Sequence, residues 1–395
     1  MSDQSISTVG DLGRLFDGPH ATPTRITDGP YFLNISSLNA GRLDLSQSDH
    51  VSREQFDKWT KRVTPEDGDL LFSYETRLGE AALMPAGVEA CLGRRMALLR
   101  PNRSLVDPQF LLYYYLSPTF QRLIEQHTIH GATVNRISLS TMGSWPVSIP
   151  PLKDQQAIAE VLGALDDKIA ANTKLAATAH SLAALIYDES TSSLGTVPMS
   201  TVLSPVLGGT PPRSREDYWS GDQLWASAKD ITGAEFFTVV DTDEKISTSA
   251  VKETKAKPLP SGSVILTARG TVGAVARLAA PASFNQSCYG FVPGTVPPGV
   301  LYFAILQATQ RAKAIAHGSV FDTITMKTFD HLEFPDFERT AMAETEAKTA
   351  PLLDTITAAV LENHRLAATR DALLPQLMSG KLRVKDAEAL ISATV

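Results

Sequence analysis

Two stretches of this chain repeat one another 191 residues apart, and a repeat of that length constrains the fold more than any single motif does. Asn172 is followed by Leu175, Ala176, Ala177 and Thr178; Asn363 is followed by Leu366, Ala367, Ala368 and Thr369. Stacking repeats have periods of about 20–50 residues, so each copy here is a unit of domain size. Other landmarks keep the order. Leu15, Phe16 and Gly18 answer to Val206, Leu207 and Gly209 at 191; Gly68-Asp69-Leu70-Leu71 with Gly79 answers to Gly262-Ser263-Val264-Ile265 with Gly273 at 194. His130-Gly131, with Asn135 and Ile137, answers to His317-Gly318, with Asp322 and Ile324, at 187. A spacing that drifts by a few residues and returns is that of two related units differing by short insertions.

The chain's 395 residues have room for two or three domains, and a 43% hydrophobic content is ordinary for a globular protein. No run of about 18 apolar residues occurs and the first residues are polar, so a cytoplasmic location without a membrane is expected. Cys91 and Cys288 are too few for a disulfide framework and lack zinc-site spacing, which leaves them as small buried hydrophobes. The net charge of −7 weighs against a polyanionic partner. Its distribution softens that. Residues 1–150 carry 14 basic and 16 acidic side chains and residues 196–335 carry 12 and 12, so most of the deficit falls on 151–195 and 336–395. Two near-neutral regions are free to carry a local basic face.

Those acidic segments read as helices. Pro150-Pro151 is a helix-start signal. Beyond it Ile158, Leu162, Leu165, Ile169, Asn172, Ala176, Ala179, Ala183 and Ile186 alternate spacings of four and three, a heptad seam. The second copy gives Thr349, Leu353, Ile356, Val360, Asn363, Ala367, Arg370, Leu374 and Leu377. An Asn at the same seam position in both copies is a register device. The reading is an antiparallel coiled coil of two long helices related by a pseudo-twofold axis, with Asn172 facing Asn363. Pro351 is expected to start or kink the second helix, and Pro375 to disturb its last turns. The other segments hold short β-prone runs such as 31–35 and 264–267 between Gly, Pro and Asp. The fold class is α+β: a mixed unit at 1–150, a helix at 151–195, a second unit at 196–335, a helix at 336–384 and a tail at 385–395.

No P-loop, dinucleotide fingerprint, HExxH helix or amino-methyltransferase NPPY motif occurs. No catalytic or metal-ligating set is assigned. Asp241, Asp243, Glu244 and Lys245 are a loose acidic cluster without a counterpart in the first copy.

What remains is an order of elements. Gly208-Gly209-Thr210-Pro211-Pro212 leads to Tyr218-Trp219, Trp225, Lys229-Asp230-Ile231 and the glycine-bounded 262–273; Pro150-Pro151-Leu152-Lys153-Asp154-Gln155 opens the first helix and LPQLMSGKL (374–382) closes the second. This resembles the DNA-specificity subunit of type I restriction-modification systems over essentially the whole chain. The first unit shows Asp17-Gly18-Pro19 where the second has its Gly-Gly-Thr-Pro, and Phe334-Pro335-Asp336-Phe337 stands at the second helix start. The resemblance implies two target-recognition domains that each read half of a split, asymmetric site on double-stranded DNA. It implies paired helices that dock two methyltransferase subunits and two restriction-translocase subunits. The chain itself would be non-catalytic and hold no cofactor, with S-adenosylmethionine, ATP and Mg in the partners. About 30 seam residues at roughly 1.5 Å each span ~45 Å, beyond the ~34 Å of one DNA turn.

Base reading needs Arg, Lys, Asn or Gln at groove edges, and affinity needs cations on phosphates. The candidates are Arg77, Arg94, Arg95 and Arg136 in the first unit, and Lys229, Arg269, Thr271 and Lys327 in the second, with Asn135 beside them. Arg77 and Arg269 follow the matched strand, where a loop can approach DNA. Two other readings stay open: a coiled-coil scaffold joining two protein-binding domains, and a divergent metal-dependent nuclease built on Asp241 and Asp243.

Overall fold

The computed structural model describes residues 5–19, 22–131, 133–315 and 323–394. Contacts divide the chain into two compact units, Met1–Asp167 with Leu366–Val395, and Lys168–Arg365. The first unit begins β1 (Ser5–Thr8), α1 (Val9–Leu12), β2 (Gly13–Asp17), β3 (Ile26–Leu33), β4 (Leu38–Asn39), β5 (Arg42–Leu43), β6 (Asp49–His50) and α2 (Arg53–Trp59). It continues β7 (Leu70–Ser73), β8 (Ala81–Leu83), β9 (Ala90–Leu92), β10 (Met96–Pro101), α3 (Pro108–Leu116), α4 (Pro118–Gln126), α5 (Leu139–Met142) and β11 (Pro146–Ile149), then enters the long α6 (Leu152–Thr191).

The second unit follows with β12 (Thr196–Pro198), β13 (Val206–Leu207), β14 (Gln223–Ala226), α7 (Ala228–Thr232), β15 (Thr238–Val239), β16 (Glu244–Ile246) and α8 (Thr248–Glu253). Then come β17 (Val264–Thr267), β18 (Val275–Leu278), β19 (Ser283–Phe284), β20 (Cys288–Phe291), α9 (Pro298–Ile315), β21 (Glu333–Pro335) and α10 (Arg339–Met378). Helix α11 (Val384–Thr394) occupies the stretch read from sequence as a tail.

The sheets repeat as the sequence does. The order β2-β10-β7-β8 in the first unit is matched by β13-β20-β17-β18 in the second, which adds β15 at the edge. The trio β6-β3-β9 is matched by β16-β14-β19, each pairing one antiparallel and one parallel neighbour. The closing pairs β1-β11 and β12-β21 match as well. One register differs from the sequence reading. Phe16 and Asp17 face Leu98 and Ala97, while Val206 and Leu207 face Gly290 and Tyr289, so with β10 and β20 superposed the first strands correspond at 190 and not at 191. Gly18 N–H accordingly bonds Met96 O (2.8 Å) as Gly208, not Gly209, bonds Cys288 O (3.1 Å). His317, Gly318 and Asp322 lie outside the described residues.

Strand β7, Leu-Leu-Phe-Ser, is buried on both faces, as a continuous apolar run requires. Helix α3 is also buried almost all round; Asp107 caps it by accepting Phe110 N–H at 2.9 Å, and Pro108 fits its first turn. Ser117-Pro118 ends α3 and restarts the chain as α4, whereas α9 has no such break and runs 18 residues. The two long helices hold the starts of these inner helices by equivalent residues. Gln155 accepts Asp107 N–H (3.0 Å) and donates to Leu105 O (3.0 Å) and Pro150 O (2.8 Å). Glu346, 191 residues on, accepts the N–H groups of Gly299 (2.9 Å) and Val300 (3.0 Å), where the helix dipole favours a carboxylate.

Helix α10 does not begin at Pro351. It starts at Arg339, ahead of Pro351, and continues past both Pro351 and Pro375. Each proline lies on the exposed side, and so do Ala347 and Asp371, whose carbonyls lose the N–H partners that the prolines lack.

The direction of the helices follows from which residues meet. In the second unit Asn172 bonds Glu362, and the ring of Tyr187 lies 6.2 Å from that of Phe337 just ahead of α10; rising numbers meet falling ones, so the helices are antiparallel. In the first unit Asp166 meets Arg370 at 2.7 Å. Ile158, Leu162, Leu165, Asn172, Ala176, Ala179 and Ala183 are buried, Ile169 is half-buried, and Tyr187 replaces Ile186 as the buried residue. On α10 Leu353, Ile356, Val360 and Asn363 are buried, but the stripe then advances one residue early, to Leu366 and Leu373.

The seam also serves more than the partner helix. Ala176, Ala179, Ala183 and Tyr187 share one core cluster with Tyr302, Phe303, Ile356 and Val360, so the helices form part of the unit's own core. Each long helix is therefore divided between the two compact units instead of forming a segment of its own. The two asparagines do not face each other. Asn172 donates to Glu362 Oε2 (2.7 Å), which also meets Lys168 (3.3 Å), while Asn363 donates to Thr173 Oγ1 (3.3 Å). Each bonds the residue beside the other.

Candidate nucleic-acid interface

Three loops gather at one place in the first unit: the β7–β8 connection, the β9–β10 turn and the chain after α4. Backbone bonds hold them together. Tyr74 N–H donates to Arg95 O (3.2 Å), Thr76 N–H to Asn135 O (3.0 Å) and Ile137 N–H to Tyr74 O (3.0 Å). The second unit builds the same frame from Ala268 N–H to Ser287 O (2.9 Å) and Ile324 N–H to Ala268 O (3.0 Å). Gly79 and Gly273 close the first loop of each frame at positive φ, +89° and +77°. A side chain from the inner helix holds each glycine carbonyl, Gln121 at 3.2 Å and Lys313 at 2.7 Å, and a Cβ at either position would strike that side chain.

The middle loop is a four-residue turn in both units. Met96 N–H bonds Gly93 O (3.1 Å) across Arg94-Arg95, and Cys288 N–H bonds Asn285 O (3.0 Å) across Gln286-Ser287. Arg94 and Gln286 thus hold the same turn position, and both are exposed. Sequence reasoning missed Gln286; its signal was the 192-residue spacing from Arg94, visible only once β10 is aligned on β20.

The frame brings all four first-unit candidates together and sorts them. Arg77 bonds Ile35 O (2.9 Å) and Glu80 (3.2 Å), and Arg95 bonds Glu75 (3.2 Å) and Thr76 Oγ1 (3.2 Å), so both hold loops in place. Arg94 and Arg136 are exposed, and neither makes an ion pair among the described residues. Burial above all, with Glu75 adding to it, pushes the Tyr74 phenol up against the opposing pull of Arg94 and Arg95. The second frame carries Arg269, Thr271 and Lys327, all exposed.

Lys229 lies apart from them, on α7, paired with Asp243 at 2.8 Å; that carboxylate raises its pKa. The carboxylates of the cluster read from sequence are each matched to a separate cation. Asp241 pairs with Lys245 (3.2 Å) and Glu244 takes both guanidinium nitrogens of Arg213. Among the described residues no group of three or more His, Cys, Asp or Glu side chains is placed to hold a metal. No helix in the described residues is long and apolar enough to cross a membrane.

The Gly208-Gly209 motif lets two segments touch the backbone. A Cβ at Gly208 would sit 2.2 Å from Asn285 O, and Gly209 O accepts the buried Trp225 indole N–H at 2.9 Å. Arg213 stacks 3.7 Å from the Trp219 ring, itself edge-on to Trp225 at 5.0 Å. The motif is structural: it fixes the strand end behind the turn that bears Gln286.

Relatives carry the same organisation. The specificity subunit of the MjaIX type I restriction enzyme of Methanocaldococcus jannaschii is 30% identical over 137 residues, 34% of this chain and 32% of that protein, so the chain matches about a third of its length. The HindI specificity subunit of Haemophilus influenzae is 20% identical and aligns over 97% of this chain and 100% of its own. The crystal structure of the S subunit of a type I restriction-modification system from M. genitalium superposes with a TM-score of 0.63 at 15% identity, over 95% of this chain and 96% of that one, and so shares the fold. The type I restriction modification DNA specificity domain matches residues 3–179 and 203–335, one match for each globular unit. With that domain present twice over most of its length, the chain belongs to the type I restriction-modification DNA specificity family.

Proposed function

We propose that this chain reads a bipartite, asymmetric site on double-stranded DNA for a type I restriction-modification assembly, each unit taking one half of the site. The supporting observation is one backbone frame built twice with different exposed side chains at its tips. Arg94 and Arg136 on the first frame, and Gln286 and Arg269 on the second, are the base-edge candidates. Arg pairs bidentately with guanine and Gln with adenine, so equal frames with unequal tips read unequal half-sites. Arg77, Arg95 and Lys229 serve as supports, engaged as they are with protein partners.

The long helices, which agree between the copies better than the globular parts do, dock two methyltransferase and two restriction-translocase subunits. This chain contributes no catalytic group; S-adenosylmethionine, ATP and Mg act in those partners. With a net charge of −7 the isolated chain binds DNA weakly and with strong salt dependence, and the partners supply phosphate contacts. Co-expression with the neighbouring methyltransferase subunit, followed by long-read mapping of modified bases, tests the reading. A split motif supports it, and unmodified DNA overturns it in favour of a protein-binding scaffold.

A further inference from the structure

Beside each frame lies a second duplication. Helices α2 and α8 are equivalent, capped by Ser52 and Ser247, which accept Gln55 N–H and Ala250 N–H at 3.3 Å each. Both helices end in Lys-x-Thr-Lys: Lys58-Trp59-Thr60-Lys61, and 194 residues later Lys252-Glu253-Thr254-Lys255. The threonines close the helices alike. Thr60 donates its N–H and hydroxyl to Phe56 O (both 2.9 Å), and Thr254 donates its own to Ala250 O (3.0 and 2.7 Å).

A cation at a helix C-terminus is stabilised by the helix dipole. In the second unit Lys257 fills that role, its ammonium bonded to the carbonyls of Val251 and Lys252. Lys58, Lys61, Lys252 and Lys255 have no such employment. All four are exposed, and none makes a hydrogen bond or an ion pair through its ammonium among the described residues.

Their position links them to the turns bearing Arg94 and Gln286. Lys58, Lys61 and Arg62 line a cleft of about 420 Å3 with Gly18 and Leu92, and Gly18 packs on the carbonyl of Gly93, the first residue of the turn. In the second unit Gly209 packs on the backbone of Lys255 while Gly208 packs on the carbonyl of Asn285, the first residue of its turn. In both units one glycine-bearing strand end separates the lysines from the turn.

We infer that the two Lys-x-Thr-Lys exits are paired phosphate-binding stations, one per unit, gripping the DNA backbone beside each base-reading turn. The inference rests on the DNA-binding function proposed above. Contacts that read sequence must differ between units with different half-sites. Contacts to a backbone common to all sequences are free to repeat, and phosphates are held by mobile, exposed ammonium groups. Arg94 and Gln286 differ; the lysines recur.

Fluorescence anisotropy of the full chain on a labelled duplex of random sequence, over a range of salt, tests this. Replacing Lys58→Gln with Lys61→Gln, or Lys252→Gln with Lys255→Gln, is expected to lower affinity equally on any sequence and to reduce the slope of log affinity against log salt by about 2, at roughly 0.9 per phosphate contact. The corresponding Lys→Arg pairs keep the slope. An unchanged slope in the Gln pairs, with the wild type binding, overturns the stations alone. Wild-type chain that binds no duplex, either by itself or assembled with its methyltransferase subunit, overturns the DNA-binding reading with them.

Discussion

The two globular units share a scaffold and differ in what they place on it. The order of strands, loop-binding backbone bonds and glycines at positive φ recur in both units, while the middle turn shows Arg94-Arg95 in one unit and Gln286-Ser287 in the other. The supports differ too. The first unit holds its inner helix with the neutral, fully buried Gln155, the second with the carboxylate of Glu346. Backbone geometry is therefore the part that repeats, and side chains are free to diverge wherever the frame does not need them.

Breaking a support that only one unit has gives the largest effect. Trp225 is fully buried and donates to Gly209 O; the equivalent Phe32 of the first unit has no donor to give. Trp225→Ala is expected to cost ~3–5 kcal/mol. Hydrogen exchange should find the loss largest in the second unit, and equal loss in both would contradict the division into two units. The exchange of supports comes next. Gln155→Glu sets a carboxylate against the carbonyls of Leu105 and Pro150 and should cost about 3 kcal/mol, whereas Glu346→Gln should cost about 1 kcal/mol. Denaturant unfolding that gives equal costs would contradict the comparison. The smallest effect lies in the seam. Asn172 has a charged acceptor in Glu362, while Asn363 leaves its own Oδ1 buried without a partner. Asn363→Leu and Asn172→Leu should each change stability by less than ~1 kcal/mol, with Asn172→Leu the more costly because it removes a hydrogen bond from Glu362, which keeps its pair with Lys168.

Much of this was legible in the sequence because hydrophobic spacing and glycine placement report backbone needs directly. The heptads over 158–183, the Gly79–Gly273 match and the fused pair of units all follow from such signals. The misses have a common cause: what decides them is tertiary. Pro351 reads as a helix start or kink, yet α10 begins twelve residues earlier and runs through it, with the proline on the exposed face and the opposite face buried. Leu366 took the buried position expected of Ala367. Among the site candidates, Arg77 and Arg95 look like Arg94 in sequence; only their bonds to Ile35 O, Glu80 and Glu75 separate loop supports from free tips. Gln286 and the four lysines were hidden because short matches at 192 and 194 carry little weight until the strands around them are paired.

The central claim is that equivalent turn positions on a common frame read different bases in the two halves of one site. Mapping modified bases after co-expression with the methyltransferase subunit, for wild type, Arg94→Gln and Gln286→Arg, tests it most directly. The account predicts that Arg94→Gln alters one half of the motif and Gln286→Arg only the other, with the spacing between the halves unchanged. A motif that stays the same in both variants, or one in which a single substitution changes both halves, would contradict it.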